Sequence, residues 1–489
     1  MTAPTTRLTP EPRRGWLSSF YALLWIAVVS LWVFPNSQLI DACLIAAFVI
    51  AFVRLSSEHA TAAAASVFLL LSLHDGFGDR YFTYWRWILL FGGAAIFALR
   101  YGQGSYRWRA GTPSLFRAAA GAYLIAVVAS SVSSVAVLPA LAKSMSLGAI
   151  AISSLFLANA LTVDFGAMAA KRISSVWAWV LAPSVFVTAF AQVVGYTPTL
   201  GSVIKLGAFR GASGNANAFG SAMAFLFPHV LGRLAVTRPD ETTKAAGWLG
   251  LSGLLAYWIL LSRSRASALA ATVAAAVMLV VHPRGILVRA ALVGSFLLAL
   301  AAVTTAPERL QSLAGDWLYK GRGQVMTSRL VLWEQSRDQF FEHPLLGLGF
   351  GVTTAQETLT AGHVEIRTAR IEQGSSFWAV LSQTGLCGFL PVMFGLLDVL
   401  YRSIRFALAV RDPYFTAIVA SVFGLTVHSL FEGWAVSPGS GLLSVMLLQC
   451  FVLDAITSRF RPPAPTPHPP PTRAHSRQRP IAATPQPTL

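Results

Sequence analysis

The chain is predicted to be an all-α polytopic membrane protein of about 12 to 14 transmembrane helices, with a long, partly helical periplasmic loop between the eleventh and twelfth spans. Three observations predict it. The 489 residues are 55% hydrophobic and only 12% charged, the mean hydropathy is +0.60, and the apolar residues fall into runs long enough to cross a bilayer. A water-soluble globule cannot hide that much apolar surface. The net charge of +17 would suggest nucleic acid in a soluble protein. Here the basic residues lie in short segments between the runs and in the tail, where they act as topology determinants, so no nucleic-acid partner is expected and membrane lipids are the surroundings.

Residues 1–15 carry Arg7, Arg13 and Arg14 ahead of an apolar run of about 20 residues, too long for a signal-peptide core and followed by no small-residue cleavage site. An uncleaved first span is the expectation. Further apolar segments near 38–53, 60–73, 85–99, 116–133, 145–163, 175–195, 216–236, 246–262, 266–282 and 286–303 complete a membrane region over 16–303. Segments near 375–397, 414–431 and 438–456 form a second one over 374–457. With a cytoplasmic N-terminus, Arg54, Arg100, Lys171, Arg172, Arg233, Arg284, Arg402, Arg411 and Arg459 all fall in inner segments. That charge asymmetry is expected to place both termini in the cytoplasm. Residues 458–489 are rich in proline and are expected to be a disordered cytoplasmic tail. Cys43, Cys387 and Cys450 lie within apolar runs and show no metal spacing, so neither a disulfide nor a metal site is expected.

One outer segment is exceptional. Residues 304–373 have nearly balanced charge, and loops of that length usually carry function. Within them MTSRLVLWEQSRDQFFEH places Leu330, Trp333, Phe340 and Phe341 among charged residues and stops at His343-Pro344. This is the pattern of an amphipathic helix lying on the membrane face. The following LLGLGFGV lacks the lysine of a nucleotide-binding loop and reads as a tight re-entry turn.

The same topology puts several polar clusters on the outer side. Lys205 and Arg210 precede GASGNANAFG, where Asn215 stands at the start of a span. Its glycines permit close backbone approach, and a helix N-terminus attracts anions, although a turn and a cap would use the same residues. Arg263 and Arg265, in LLSRSRAS, share one tight outer turn. Arginine near a membrane is costly unless it reaches the interface or meets an anion, so a phosphate partner and simple snorkelling are the competing explanations. Arg370, Glu372 and Gln373 directly precede the span near 375, where Glu372 either pairs with a neighbouring arginine or takes part in chemistry. His428 and Glu432 are four residues apart. They are expected to share one helix face at the outer end of a span, fit for a hydrogen bond or the lining of a polar cavity and too few for zinc.

The succession FRGASGNANAFG, LLSRSRAS, SRLVLWEQSRDQFFEHPLLGLGFG and GSSFWAVLSQTGLCG resembles the O-antigen ligase and polymerase superfamily over about 200–390. The resemblance implies an inverting glycosyltransferase that uses no metal or other cofactor. Its donor would be an undecaprenyl-diphosphate-linked glycan on the periplasmic side, its acceptor a glycan or lipid hydroxyl, with room for polysaccharide assembly partners. By motif position the diphosphate-holding arginines are Arg210 and Arg265, with Arg263 as the near alternative. The ligases carry a histidine just before the span; here Gly374 and Ser375 take that place. Glu372 becomes the substitute general base, and the departure favours chain polymerisation over ligation to lipid A-core. A lipid-linked glycan flippase remains the rival from another class. It should show two similar halves, and no such repeat is evident.

Overall fold

The computed structural model describes residue 99, residues 114–282, 327–354, 366–368 and 374–459, apart from 195, 198–200, 203, 206–207, 212–214, 239, 355–365 and 439. The expected spans before residue 99, the span near 286–303 and the proline-rich tail lie outside the described residues. What is described is mostly helical. Helices α1 (Leu115–Val132), α2 (Val137–Phe165), α3 (Ala169–Val194), α4 (Ala216–Val236), α5 (Thr242–Leu261) and α6 (Arg265–Val281) come first. α7 (Thr327–Glu342), α8 (Ser376–Val410), α9 (Pro413–Ser429) and α10 (Gly441–Arg459) follow. Among the described residues α1, α2, α4, α5, α8 and α10 are long and apolar enough to cross a membrane, and α6 and α9 are shorter apolar helices.

Several helices run past the predicted segments. α2 spans 29 residues and α8 spans 35, because charged residues within them find partners that hydropathy does not see. Lys143 Nζ of α2 donates to the Gly351 carbonyl at 2.7 Å. Arg402 of α8 pairs at 2.7 Å with both Asp398 and Asp454, and Arg117 of α1 meets Asp454 at 2.5 Å. Arg459 adds bonds to Thr162, at 2.9 Å, and to Asn159. One polar knot therefore fastens one end of α1, α2, α8 and α10 together.

Small residues allow the helices to approach. A Cβ added at Gly424 of α9 would lie 2.8 Å from the Ala270 carbonyl oxygen and 3.4 Å from Ala274 Cβ, so α6 and α9 meet almost backbone to backbone. Trp177, Phe219, Phe225 and Trp258 fill the interior between α3, α4 and α5. Trp177 meets Phe225 edge to face at 5.2 Å.

α8 is broken at Gly385, whose φ is 58° and ψ −161°. The break exposes backbone groups that a continuous helix would pair, and the Gly-rich turn after α7 satisfies them. Leu348 and Gly349 amides donate to the Ser382 and Gln383 carbonyls at 3.0 and 3.1 Å, while the Leu386 and Cys387 amides donate to Pro344 and Leu345 at 2.9 and 3.1 Å. Gly351 N adds a bond of 2.8 Å to Gln383 Oε1, and Phe350 is fully buried. LLGLGFGV is thus a tight turn, as expected, and its work is to plug the break.

Candidate functional site

The starts of α4, α6 and α8 and the end of α9 meet at the end of the bundle opposite the Asp454 knot. Before α4 the chain makes two short hairpins, β1 (Tyr196–Thr197) with β2 (Gly201–Ser202), and β3 (Ile204–Lys205) with β4 (Ala208–Phe209). Lys205 ends β3 and Arg210 immediately follows β4. Arg210 is buried, at 9% exposure, which a guanidinium tolerates only with compensating partners. Its neighbour Phe209 packs edge to face on Phe219 at 5.4 Å, and Phe219 in turn on Trp258 at 6.0 Å. The hairpin is thereby fixed against α4 and α5. Asn215 caps α4, its side chain accepting from Asn217 N at 2.8 Å.

α4 carries the strand end toward the arginine turn. Gly220 leaves no room for a Cβ beside Ser262, Ser264 and Ser267, so α4 lies directly against the turn that joins α5 to α6. In that turn Arg263 is half-buried in the left-handed region, φ 51°, while Arg265 is the first residue of α6. Ser262 Oγ receives the Ser264 amide at 3.2 Å, and Ser264 and Ser267 hydroxyls share a bond of 2.7 Å. The serines satisfy the turn's polar groups among themselves and hold the two arginines on its rim.

His428 and Glu432 reach the same place from the other side, though not as the spacing predicted. α9 ends at Ser429, and Glu432 has extended φ/ψ ahead of a 3-10 turn over Gly433–Val436. The two residues therefore share no helix face: the helix stops between them because Trp434 folds back and its indole N–H donates to His428 Nδ1 at 2.8 Å. His428 Nε2 lies 3.3 Å from Ser267 Oγ, which ties α9 to the arginine turn. Both residues are buried, His428 at 2% exposure and Glu432 at 4%.

Glu432 is the hub. Its carboxylate forms an ion pair with Arg329 of α7 and accepts from Asn217 Nδ2 of α4 at 3.2 Å. Its main-chain carbonyl accepts from Ser376 Oγ of α8 at 2.6 Å, and the same hydroxyl receives the Ala435 amide at 3.1 Å. Three helices, α4, α7 and α8, meet on one acidic residue. Through the Ser267–His428 and Asn217–Glu432 bonds, the start of α6 and Arg329 of α7 are tied to the same end of the bundle, so guanidiniums from two elements lie there. Such an arrangement favours a bound anion with more than one negative oxygen.

The sequence reading missed Arg329. It lies in the helix expected from residues Leu330, Trp333, Phe340 and Phe341, but Leu330 and Phe341 are exposed. The inward side instead carries Arg329, Trp333 and the buried Ser336, at spacings of one helical turn. Trp333 Nε1 donates to the Gly374 carbonyl at 3.1 Å. Gly374 has φ 72°, a conformation costly for a side chain such as histidine, so the backbone agrees with the absence of the ligase histidine at this point. Arg370, Glu372 and Gln373 lie outside the described residues. The signal for Arg329 was its i, i+4 spacing to Trp333, which puts the two on one helix face.

A groove of about 360 Å³ opens beside the hub, lined by Trp333, Ser375, Phe377, Trp378, Leu381, Phe389, Leu430 and Phe431. It is apolar, and from Ser375 to Phe389 it follows α8 past the break. Among the described residues no group of three or more His, Cys, Asp or Glu side chains could hold a metal ion.

A search of curated proteins returns no match to this sequence. Residues 250–393 match the family model described as O-antigen ligase. The matched stretch runs from within α5 through Arg263 and Arg265, across α7 with Arg329, and past the break in α8. That match supports a likeness to the O-antigen ligase and polymerase superfamily over these residues, in a chain with several helices long and apolar enough to cross a membrane.

Proposed function

We propose that the protein is an inner-membrane glycosyltransferase that moves a glycan from undecaprenyl diphosphate to an acceptor hydroxyl on the periplasmic side, and that it acts as an O-antigen or exopolysaccharide polymerase. The observation that carries this reading is the ion pair of Arg329 with Glu432, which also holds Asn217 of α4, at the end of the bundle where α4 and His428 pack on the Arg263/Arg265 turn.

The chemistry follows from the charges. As the bond between the sugar and the diphosphate breaks, negative charge grows on the leaving phosphate. Guanidiniums already fixed in a partly dry site stabilise that charge without reorganising. Arg265 and Arg210 are read as the donor-holding pair, and Arg329 as a third cation carried by α7. Attack from the face opposite the diphosphate inverts the anomeric carbon. A carboxylate engaged with a guanidinium is a weak proton acceptor, so Glu432 is read as positioning Arg329 and Asn217. Glu372 keeps the assignment of general base, and Lys205, Arg370 and Gln373 remain donor or acceptor contacts in this scheme. The apolar groove next to the hub supplies a path from the bilayer for a polyprenyl chain. Gly374 in place of the ligase histidine favours polymerisation; ligation to a lipid A-core or another acceptor is the second reading.

The test is reconstitution of the purified chain with a defined undecaprenyl-diphosphate-linked repeat. Chain growth with release of undecaprenyl diphosphate is expected, reduced at least about 100-fold in Arg210→Ala and Arg265→Ala. In a deletion strain, single lipid-linked repeats should accumulate. Polymer left on its carrier would establish ligation instead, repeats retained on the inner leaflet would establish a flippase, and full activity in both arginine variants would remove the diphosphate-holding role.

A further inference from the structure

The opposite end of the bundle carries a second electropositive site, built from α3, α4 and α9 and separate from the cluster around Glu432. Tyr414, next to the first residue of α9, lies beneath two cations: Lys171 Nζ is 6.0 Å from its ring centre and Arg233 Cζ is 5.6 Å from it. Arg233 also lies 5.7 Å from the Trp248 ring, and its Nη2 donates to Ser175 Oγ at 2.7 Å. Arg172, beside Lys171, sits over Phe165 at 5.0 Å. Lys171 and Arg172 are exposed.

Three features make this more than a scatter of inner-loop charges. Lys171 and Arg172 lie in the first turn of α3, which holds no acidic residue. Cations there oppose the helix dipole, which favours an anion at that end. Among the described residues neither Lys171 nor Arg233 forms an ion pair with a carboxylate. Asp412, just ahead of α9, is engaged in capping that helix, accepting from Phe415 N at 2.6 Å. Finally, the cations are held in place by aromatic faces and a serine, so they are ordered before any ligand arrives. Their level is that of helix ends, where lipid headgroups lie, and basic pockets between helix ends suit phosphodiester headgroups.

We infer that Lys171, Arg172 and Arg233, set around Tyr414, form a binding site for the headgroup of an anionic phospholipid in the leaflet opposite the candidate glycan-transfer site. The cations would meet the phosphate, and the Trp248 and Tyr414 rings would lie at the headgroup boundary. The site is independent of the transfer chemistry and stands whether the protein polymerises, ligates or does neither.

The full chain in neutral detergent, titrated with phosphatidylglycerol or phosphatidylcholine and read by native mass spectrometry, tests this. Phosphatidylglycerol adducts should survive activation that strips phosphatidylcholine. The double variant Lys171→Gln/Arg172→Gln should lose affinity by about fivefold per charge removed, while Lys244→Gln, also exposed and basic, should behave as wild type. Equal retention of both lipids, wild-type affinity in the double variant, or an equal loss in Lys244→Gln would overturn the site. Complete displacement by millimolar inorganic phosphate would also overturn it, because the ligand would then be a free anion and not a lipid.

Discussion

At the residue scale, two guanidiniums separated by one serine differ in role. Arg263 occupies a left-handed backbone conformation that disfavours a side chain by about 1 kcal/mol, whereas Arg265 opens α6 under the field of Arg329. Arg263→Gly is therefore expected to raise thermal stability by about 1 kcal/mol with transfer activity within twofold of wild type, as read by unfolding and by chain growth. A collapse of activity in that variant would move the donor-holding role to Arg263. Arg265→Lys should recover only part of the activity lost in Arg265→Ala, because an ammonium cannot grip two phosphate oxygens in a fork. Glu432→Gln keeps the shape of the hub and removes its charge. Arg329 then loses its partner, and a misplaced cation should lower kcat by about 100-fold while the donor KM moves by less than tenfold. A large KM change at constant kcat would recast Glu432 as a donor-binding group.

Among the helices, the site depends on packing a full turn away from any charge. Gly424 lets α9 lie against the Ala270 carbonyl of α6, and His428, one turn on, then reaches Ser267 at 3.3 Å. Gly424→Val should push the two helices apart and cut transfer at least about tenfold although no reacting group is touched; a chain-growth assay on the membrane-inserted variant checks this. The plug in α8 works on the same principle, since Gly385 leaves no room for a Cβ beside the Leu345 carbonyl. At the start of α5, Lys244 and the Arg238 amide hold the Glu241 carboxyl below its ordinary value of 4.5. A lowered carboxyl contributes stability that is present above about pH 4.5 and lost as pH falls through the lower folded value. The melting temperature of the wild type should accordingly fall more steeply than that of Glu241→Gln below that pH, and parallel curves would deny Glu241 any part in acid lability.

For the whole molecule, the two ends of the bundle have different duties. Asp454 is fully buried between Arg117 and Arg402, and removing one member of such a network costs about 3–5 kcal/mol. Asp454→Asn should lower the melting temperature while the folded fraction keeps its kcat, because the knot lies at the far end from Glu432; a matching loss of kcat per folded molecule would show that the ends are coupled. Much of this was legible in the chain. Apolar run length and the alternation of basic segments dictate a helical membrane protein, since bilayer thickness and the need to pair backbone groups leave few alternatives. The order of the Arg263/Arg265 and α7 motifs likewise carried the resemblance to the family matched over residues 250–393, because motif order is a property of the chain itself. The ion pair of Arg329 with Glu432, the fold-back of Trp434 that ends α9 before Glu432, and the loop that fills the break at Gly385 were not legible. Each joins residues far apart along the chain or turns on one local hydrogen bond. Sequence periodicity reports which face of a single helix is apolar. Which polar groups meet across helices is decided only when the bundle closes and each buried charge must find its partner.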